Sequence, residues 1–320
     1  MEQVFFEATR NALNAITELC DLMHPITVSV WNTQAQVNGI CNMVPAANEK
    51  QLASKFGLGS GIHGVNYKRF FLQKSWEEHK EDIAWLFLNS AIPIYEGWLE
   101  ELHTNVFSDT NGNLNVKAMQ FPASCSKNIL NEIARLTSIE SNILKNEFYS
   151  IYSTKKYCCY SKLDNLVIAY RYFKEMRNCY MHNNKIANSN LITAYTNFSA
   201  LSSPTDLNMT EIPEHVPPIL DSKISISLRG VIGFTQILIQ LMVTIDAELL
   251  RSQYAEVALI ATLQKLYPSP ISIGSDRVKA IRQIRGIFEH GKYIRPSINN
   301  LADISRFLID NHIIQPITLV

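Results

Sequence analysis

The chain lacks an excess of charge of either sign: 29 Lys and Arg balance 29 Asp and Glu, for a formal net charge of zero over 320 residues. A protein that coats nucleic acid indiscriminately needs a strongly basic balance, so that class is excluded. The six cysteines (Cys20, Cys41, Cys125, Cys158, Cys159, Cys179) contain no C-x-x-C pair, which argues against a zinc site. The opening Met1-Glu2-Gln3 is acidic where a signal peptide is basic, so free thiols in a reducing cytoplasm are expected. The longest apolar run, Gly230 to Ile245, is interrupted by Gln236 and Gln240 and is shorter than the about 20 residues a bilayer requires. It reads as a buried core helix, with no membrane partner. The glycine-rich stretch from Gly57 to Gly64 lacks the Lys-Ser/Thr that closes a phosphate loop and is read as a flexible connection. Acidic metal ligands at motif spacing are lacking too, so neither a cofactor nor a metal is expected.

What is present is helical periodicity nearly throughout, and the fold class it predicts is all-α. A helix over residues 2–23 is ended by Pro25; the apolar Ile26 to Trp31 stays unassigned. Another helix is expected over 47–56. Ser75-Trp76-Glu77-Glu78 is a capping box opening a long helix that Pro93 kinks, and a turn follows over Asp109 to Gly112. A second long helix starts near Ser126 and carries Ile129, Ile133, Leu136, Ile143, Phe148 and Ile151; a third is opened by Ser161-x-x-Asp164. Pro204, Pro213, Pro217 and Pro218 among Asn, Ser and Thr mark a change of character, read as a linker or, alternatively, a loop over the site. The second half repeats the scheme, with helices over about 226–252 and 254–266, a break at Pro268-Ser269-Pro270, a helix capped by Ser275 or Asp276, and a last helix over about 298–313. The organisation read from this is an N-terminal helical region (1–70), a helical domain (71–200), a linker (201–222) and a second helical half (223–320).

Two stretches carry chemistry. In Arg177-Asn178-Cys179-Tyr180-Met181-His182 an arginine and a histidine bracket four residues at the end of a helical run, and Arg285-Gly286-Ile287-Phe288-Glu289-His290 repeats the arrangement. At about 100° per residue Leu163, Leu166, Tyr170, Phe173 and Arg177 share one stripe, and Val278, Ile281, Arg285 and Phe288 share another. Each arginine thus sits where a core residue belongs, and a buried arginine wants an anion. Each histidine lies roughly 140° round a regular helix from its arginine, so the pair converges only where the helix ends or distorts. Asn183-Asn184 and Gly291 offer such endings. Basic residues gather around both stretches: Lys155, Lys156, Lys162, Arg171, Lys174, Arg177 and Lys185 face only Asp164 and Glu175, and Arg277, Lys279, Arg282, Arg285, Lys292 and Arg295 face only Glu289. Guanidinium with imidazole suits phosphodiester cleavage beside a 2′-hydroxyl, which needs no metal.

Arg177-Asn178-x-x-x-His182 resembles the signature of the HEPN superfamily (higher eukaryotes and prokaryotes nucleotide-binding domain), in which arginine, usually followed by a polar residue, precedes histidine by four to six positions. The likeness covers residues 71–200 well, 221–320 loosely and the N-terminal region not at all. The second copy departs from the pattern, with Gly286 in the polar slot and Glu289 before His290. The resemblance implies an all-helical bundle and a metal-independent endoribonuclease leaving 2′,3′-cyclic phosphate, with Arg177 and Arg285 on the scissile phosphate, His182 and His290 as base and acid, and Asn178 orienting one of them. It further implies RNA as partner (transfer RNA, or phage or host messenger), a homodimer or paired motifs in one chain, an antitoxin or other regulator, and a role as a toxin or anti-phage effector. The alternative reading is a catalytically silent helical module that dimerises and binds RNA, a nucleotide or an antitoxin.

Overall fold

The structure, a computed structural model, describes residues 3–108, 113–120 and 127–316. The expected turn over 109–112, the helix start at Ser126 and Cys125 lie outside them. The fold is all-α: α1 (Glu7–Met43), α2 (Glu49–Phe56), α3 (Tyr67–Phe71), α4 (Trp76–Val106), α5 (Val116–Gln120), α6 (Lys127–Leu136), α7 (Asn142–Leu144), α8 (Ser150–Ser153), α9 (Leu163–His182), α10 (Ser189–Ser199), α11 (Leu228–Leu249), α12 (Gln253–Leu266), α13 (Arg277–His290) and α14 (Leu301–Asp310). Among the described residues, extended pairing is limited to isolated bridges such as Ile186 with Lys223.

Helix α11 is apolar on every side, and from Gln240 to Leu250 each of its side chains is buried. A helix of that kind needs neighbours all round. α1, α4, α6, α8 and α9 supply them. Among the described residues α11 is also the helix long and apolar enough to cross a membrane, and in this fold it is mostly buried inside the protein. Because α11 is a wall shared by α4 and α9, a single hydrophobic core reaches from Val4 to Ile314. The halves 71–200 and 223–320 therefore do not close separately, contrary to the division read from composition. The stretch 201–222 is no free linker: Leu207 and Pro213 are buried, Asn165 Nδ2 donates to the Asp206 carbonyl (2.9 Å), and Gln240 Nε2 donates to that of Asn208 (3.1 Å).

Pro25 does not end the first helix. α1 continues for 37 residues, about 55 Å at 1.5 Å per residue, and takes in the unassigned 26–31. An interior proline costs about 3 kcal/mol, and tertiary contacts offset it. Trp31 meets Trp76 edge to face, and Gln34 Nε2 donates to the carbonyls of Phe71 (3.2 Å) and Lys74 (2.9 Å). At this far end Val37, Leu52, Tyr67 and Phe71 form a small second cluster. Two further expectations fail locally. The helix expected to run through Ile151 breaks after Leu136, since Ser141 both donates its N–H to the Arg251 carbonyl and caps α7 through its hydroxyl. Ser161-x-x-Asp164 is not a capping box: α9 begins after a tight turn at Tyr160–Lys162 with no side-chain cap.

Two buried carboxylates tie the ends of the chain to the core. Asp246 on α11 accepts the N–H groups of Phe5 (2.8 Å) and Phe6 (3.0 Å), the orphan donors ahead of α1, and also bonds the Thr9 side chain. Glu147, in a π-helical turn at Lys145–Tyr149, accepts those of Asn299 (2.7 Å) and Asn300 (3.2 Å) ahead of α14. Burial pushes the Asp246 carboxyl up to about 6, against the hydrogen bonds, which pull it down. A carboxyl whose folded pKa exceeds its unfolded one holds a proton in the native state that the unfolded chain has lost. Stability therefore falls as pH rises from about 4 to about 6, by roughly 3 kcal/mol from this group, and is flat above. In urea denaturation at pH 4.5 and 7, the Asp246→Asn variant is expected to lack that part of the pH dependence.

Candidate functional site

The stripe on α9 is as the periodicity predicts: Leu163, Leu166, Tyr170 and Phe173 are buried, and Arg177 continues the line half-buried. Its Nε is shut off from solvent with no hydrogen-bond acceptor. The nearby carboxylates are taken: Glu175 pairs with Arg171, and Glu96 pairs with Lys174, which is fully buried and also donates to the Gln120 carbonyl (2.9 Å). Burial lowers the Lys174 pKa, and its bond to Glu96 pulls it back up. Among the described residues Arg177 has no carboxylate partner, and two cations stand on the turns before it. Asn178 is half-buried and His182 is exposed.

α9 stays regular through His182, so the guanidinium and the imidazole leave the helix in different directions. The distortion comes one step later. Asn184 and Lys185 are left-handed (φ 49° and 63°), and Lys185 N–H closes the helix on the Cys179 carbonyl (3.0 Å). That turn lays the Lys185 ammonium over the rings of Tyr180 (4.8 Å) and Trp85 (5.7 Å), themselves stacked at 4.6 Å. Segment 221–224 seals the turn, with Ile224 N–H donating to the Lys185 carbonyl (2.8 Å). Lys185 stands in the sequence as one of the basic residues around the motif, but its seat on Tyr180 and Trp85 does not, because nothing local announces a pairing across 95 positions. Cys179, inside the motif, is buried, which pushes its thiol up and leaves it a poor nucleophile.

The second motif differs. The buried face of α13 is Ala280, Ile284, Ile287 and Phe288, with Phe288 against the ring of Phe148 (5.1 Å). Val278 is exposed, so the stripe through Val278, Ile281 and Arg285 is out of phase with the core; alternative apolar residues one turn-step away outweigh it. Arg285 is half-buried at the flank of that face, its Nη2 donating to the Ser297 carbonyl (3.3 Å) and its Nε without an acceptor. It lines a shallow groove with Arg282, Glu289 and Arg295, the last two ion-paired. His290, exposed, has Nδ1 2.9 Å from the Tyr267 hydroxyl and lines a different cavity. Arg285 and His290 therefore open onto separate surfaces. Among the described residues no hydrogen bond or ion pair joins Arg177 or His182 to Arg285 or His290, and neither the groove at Arg285 nor the cavity at His290 reaches Arg177 or His182. Nor, among those residues, do three or more His, Cys, Asp or Glu side chains cluster as a metal site would require.

Comparison with protein-family models, with curated proteins and with solved structures returns no match. The reading of the site thus rests on this chain's own residues.

The contrast between neighbouring cations on α9 is testable. Lys174→Ala strands Glu96 and is expected to cost about 3–5 kcal/mol, as removing one member of a buried pair does. Arg177→Ala strands no counter-charge and should cost no more than about 1 kcal/mol in the same urea titration. Equal losses would make Arg177 a structural residue.

Proposed function

We propose that the chain is a metal-independent endoribonuclease working at the end of α9. The observation that carries this is the Arg177 guanidinium: half-buried, its Nε without an acceptor, and unpaired where Arg171 and Lys174 on the same helix are paired to Glu175 and Glu96. The residue as a whole is only half-buried and, among the described residues, has no carboxylate partner, so the partner its guanidinium calls for is an outside anion. His182 stands exposed at the same helix end. In this reading Arg177 holds the scissile phosphate and His182 takes the proton of the 2′-hydroxyl. The 2′-oxygen forms its bond to phosphorus as the bond to the 5′-oxygen breaks, and a second imidazolium gives that leaving oxygen its proton. The products are a 2′,3′-cyclic phosphate and a 5′-hydroxyl. Asn178 steadies the end of the helix that carries both groups.

Since arginine and histidine diverge on a regular α9, and His290 opens onto another surface, the second histidine comes in this reading from another copy of the chain. A homodimer pairing two α9 ends brings one chain's arginine to the other's histidine. Cytoplasmic RNA is the substrate, and a toxin or anti-phage role with a dedicated inhibitor belongs to the same proposal. The divergence also favours a second reading, a silent module in which Arg177 and Lys185 bind RNA without cutting it.

Incubation with single-stranded RNA in excess EDTA is expected to give fragments with cyclic phosphate ends, and a strict need for Mg²⁺ would sink the mechanism. Arg177→Ala and His182→Ala should each lower the rate by about 10²–10⁴-fold. Mixing the two variants should restore part of it through heterodimers carrying one intact pair, and His290→Ala should cleave nearly as the parent does. RNA binding without cleavage in the parent chain supports the silent module instead.

A further inference from the structure

The geometry points to a second ligand site, away from the end of α9: a cavity of about 540 Å³ that takes a phosphomonoester carried on an apolar or aromatic body. Its walls are the start of α1, the end of α4 at Asn105 and Val106, one face of α12 and the turn that closes α13. Small residues make the space. Ala258, Ala261 and Thr262 share a face of α12 where longer side chains would fill the gap. The size lies within the range of small-molecule sites, which are mostly apolar with a few convergent polar groups.

The floor and the rim differ in kind. Phe5, Phe6, Val106 and Leu266 provide an apolar base, with the Tyr293 ring beside Phe5 at 5.0 Å. Around it stand Arg10, Lys265, Lys292 and His290, against the single carboxylate of Glu7. Arg10 Nη2 donates to the Lys292 carbonyl (3.0 Å) and its charge acts on the buried Asp246 carboxyl, pulling its pKa down; among the described residues neither Lys265 nor Lys292 forms an ion pair. The start of α1 in the wall is itself already answered by Asp246, so the positive charge of the rim comes from side chains. Three cations against one carboxylate answer a dianion better than a carboxylate or a phosphodiester, each with one charge, and the phosphomonoester is the common biological group of that charge.

The backbone at the rim is built, not incidental. A Cβ on Gly291 would come within 2.9 Å of the Tyr293 ring, so glycine is what lets that ring fold against the cavity. The left-handed position then falls on Lys292 (φ 63°) instead, held there by its N–H on the Glu289 carbonyl (2.9 Å) and by Arg10 on its own carbonyl. A lysine in that region persists only when its surroundings over-determine it, and such residues gather at binding sites. Here the turn sets Lys292 and His290 on one rim.

Titration calorimetry and thermal shift on the full chain, with phenyl phosphate and adenosine 5′-monophosphate as probes, test this directly. Saturable binding of either, with a raised melting temperature, is expected, and inorganic phosphate, benzoate and phenol should each bind at least roughly tenfold more weakly. Lys265→Glu removes a rim charge and Ala261→Trp fills the space. Both positions are exposed, so the free variants should melt as the parent does while the probe's Kd rises at least roughly tenfold. No saturation up to about 10 mM, equal binding of inorganic phosphate, or a Kd unmoved by both substitutions would each overturn the proposal. Because none of these readouts uses RNA, a chain that fails to cleave RNA can still bind the probes, and the two readings fail separately.

Discussion

The carboxylate of Asp246 is the contact on which the rest of the arrangement hangs. It is fully buried on the central helix and receives two backbone N–H groups from the residues ahead of α1. A buried carboxylate without such donors would be prohibitively costly, and so would the N–H groups without the carboxylate. Each solves the other's problem, and in doing so they fix where α1 starts, hence how it runs along α4. Trp98 Nε1 donating to Thr9 Oγ1 (2.9 Å), one helical turn on, depends on that placement. Glu147 performs the same office for α14, so the first and last helices are docked by the same device at opposite ends of the sequence.

Along α9 the distribution of charge separates structure from site. Arg171 and Lys174 are positive groups that the protein has already answered, with Glu175 and Glu96. Arg177, at the next step along the helix, is not answered, although it lies on a line of buried side chains. Desolvation without pairing is expensive, and a fold that needed only packing there would place an apolar residue. The aromatic pair Trp85 and Tyr180 then holds Lys185 close by, so the helix end concentrates positive charge on a chain whose net charge is zero. Helix geometry adds to this, since cations are favoured at the negative end of a helix dipole.

Much of the helical content was legible in the residues, and the reasons vary by element. The capping box at Ser75 and, of the two candidates Ser275 and Asp276, the Asp276 cap stand as local chemistry predicts, because a cap is decided within four residues. The α9 stripe was legible for the same reason: helix phase is local. What escaped depended on distant partners. Pro25 is tolerated because Gln34 and Trp31 find 71, 74 and 76 about forty residues on, beyond α2; the two halves merge because α11 serves both; and the Val278 stripe fails because burial is set by what α13 meets, not by its own periodicity. The site divides along the same line. Arg177 and His182 could be named from spacing, whereas Trp85, Arg10 and Tyr267, each bound to a motif end by tertiary contact, could not.

The length of α1 has a mechanical consequence. One end of the helix is fixed at Asp246 beside the cavity, and Val37, which packs with Leu52, Tyr67 and Phe71, lies about 45 Å along it on a helix about 55 Å long. A rod of that length is a lever: a tilt of about 5° at the anchored end sweeps the far end through roughly 5 Å. Pro25, which removes one rung of the hydrogen-bond ladder midway, is the softest joint along it. A shift in the first turn of α1 is therefore largest at the far end of the helix, where Met43 and Val44 face solvent.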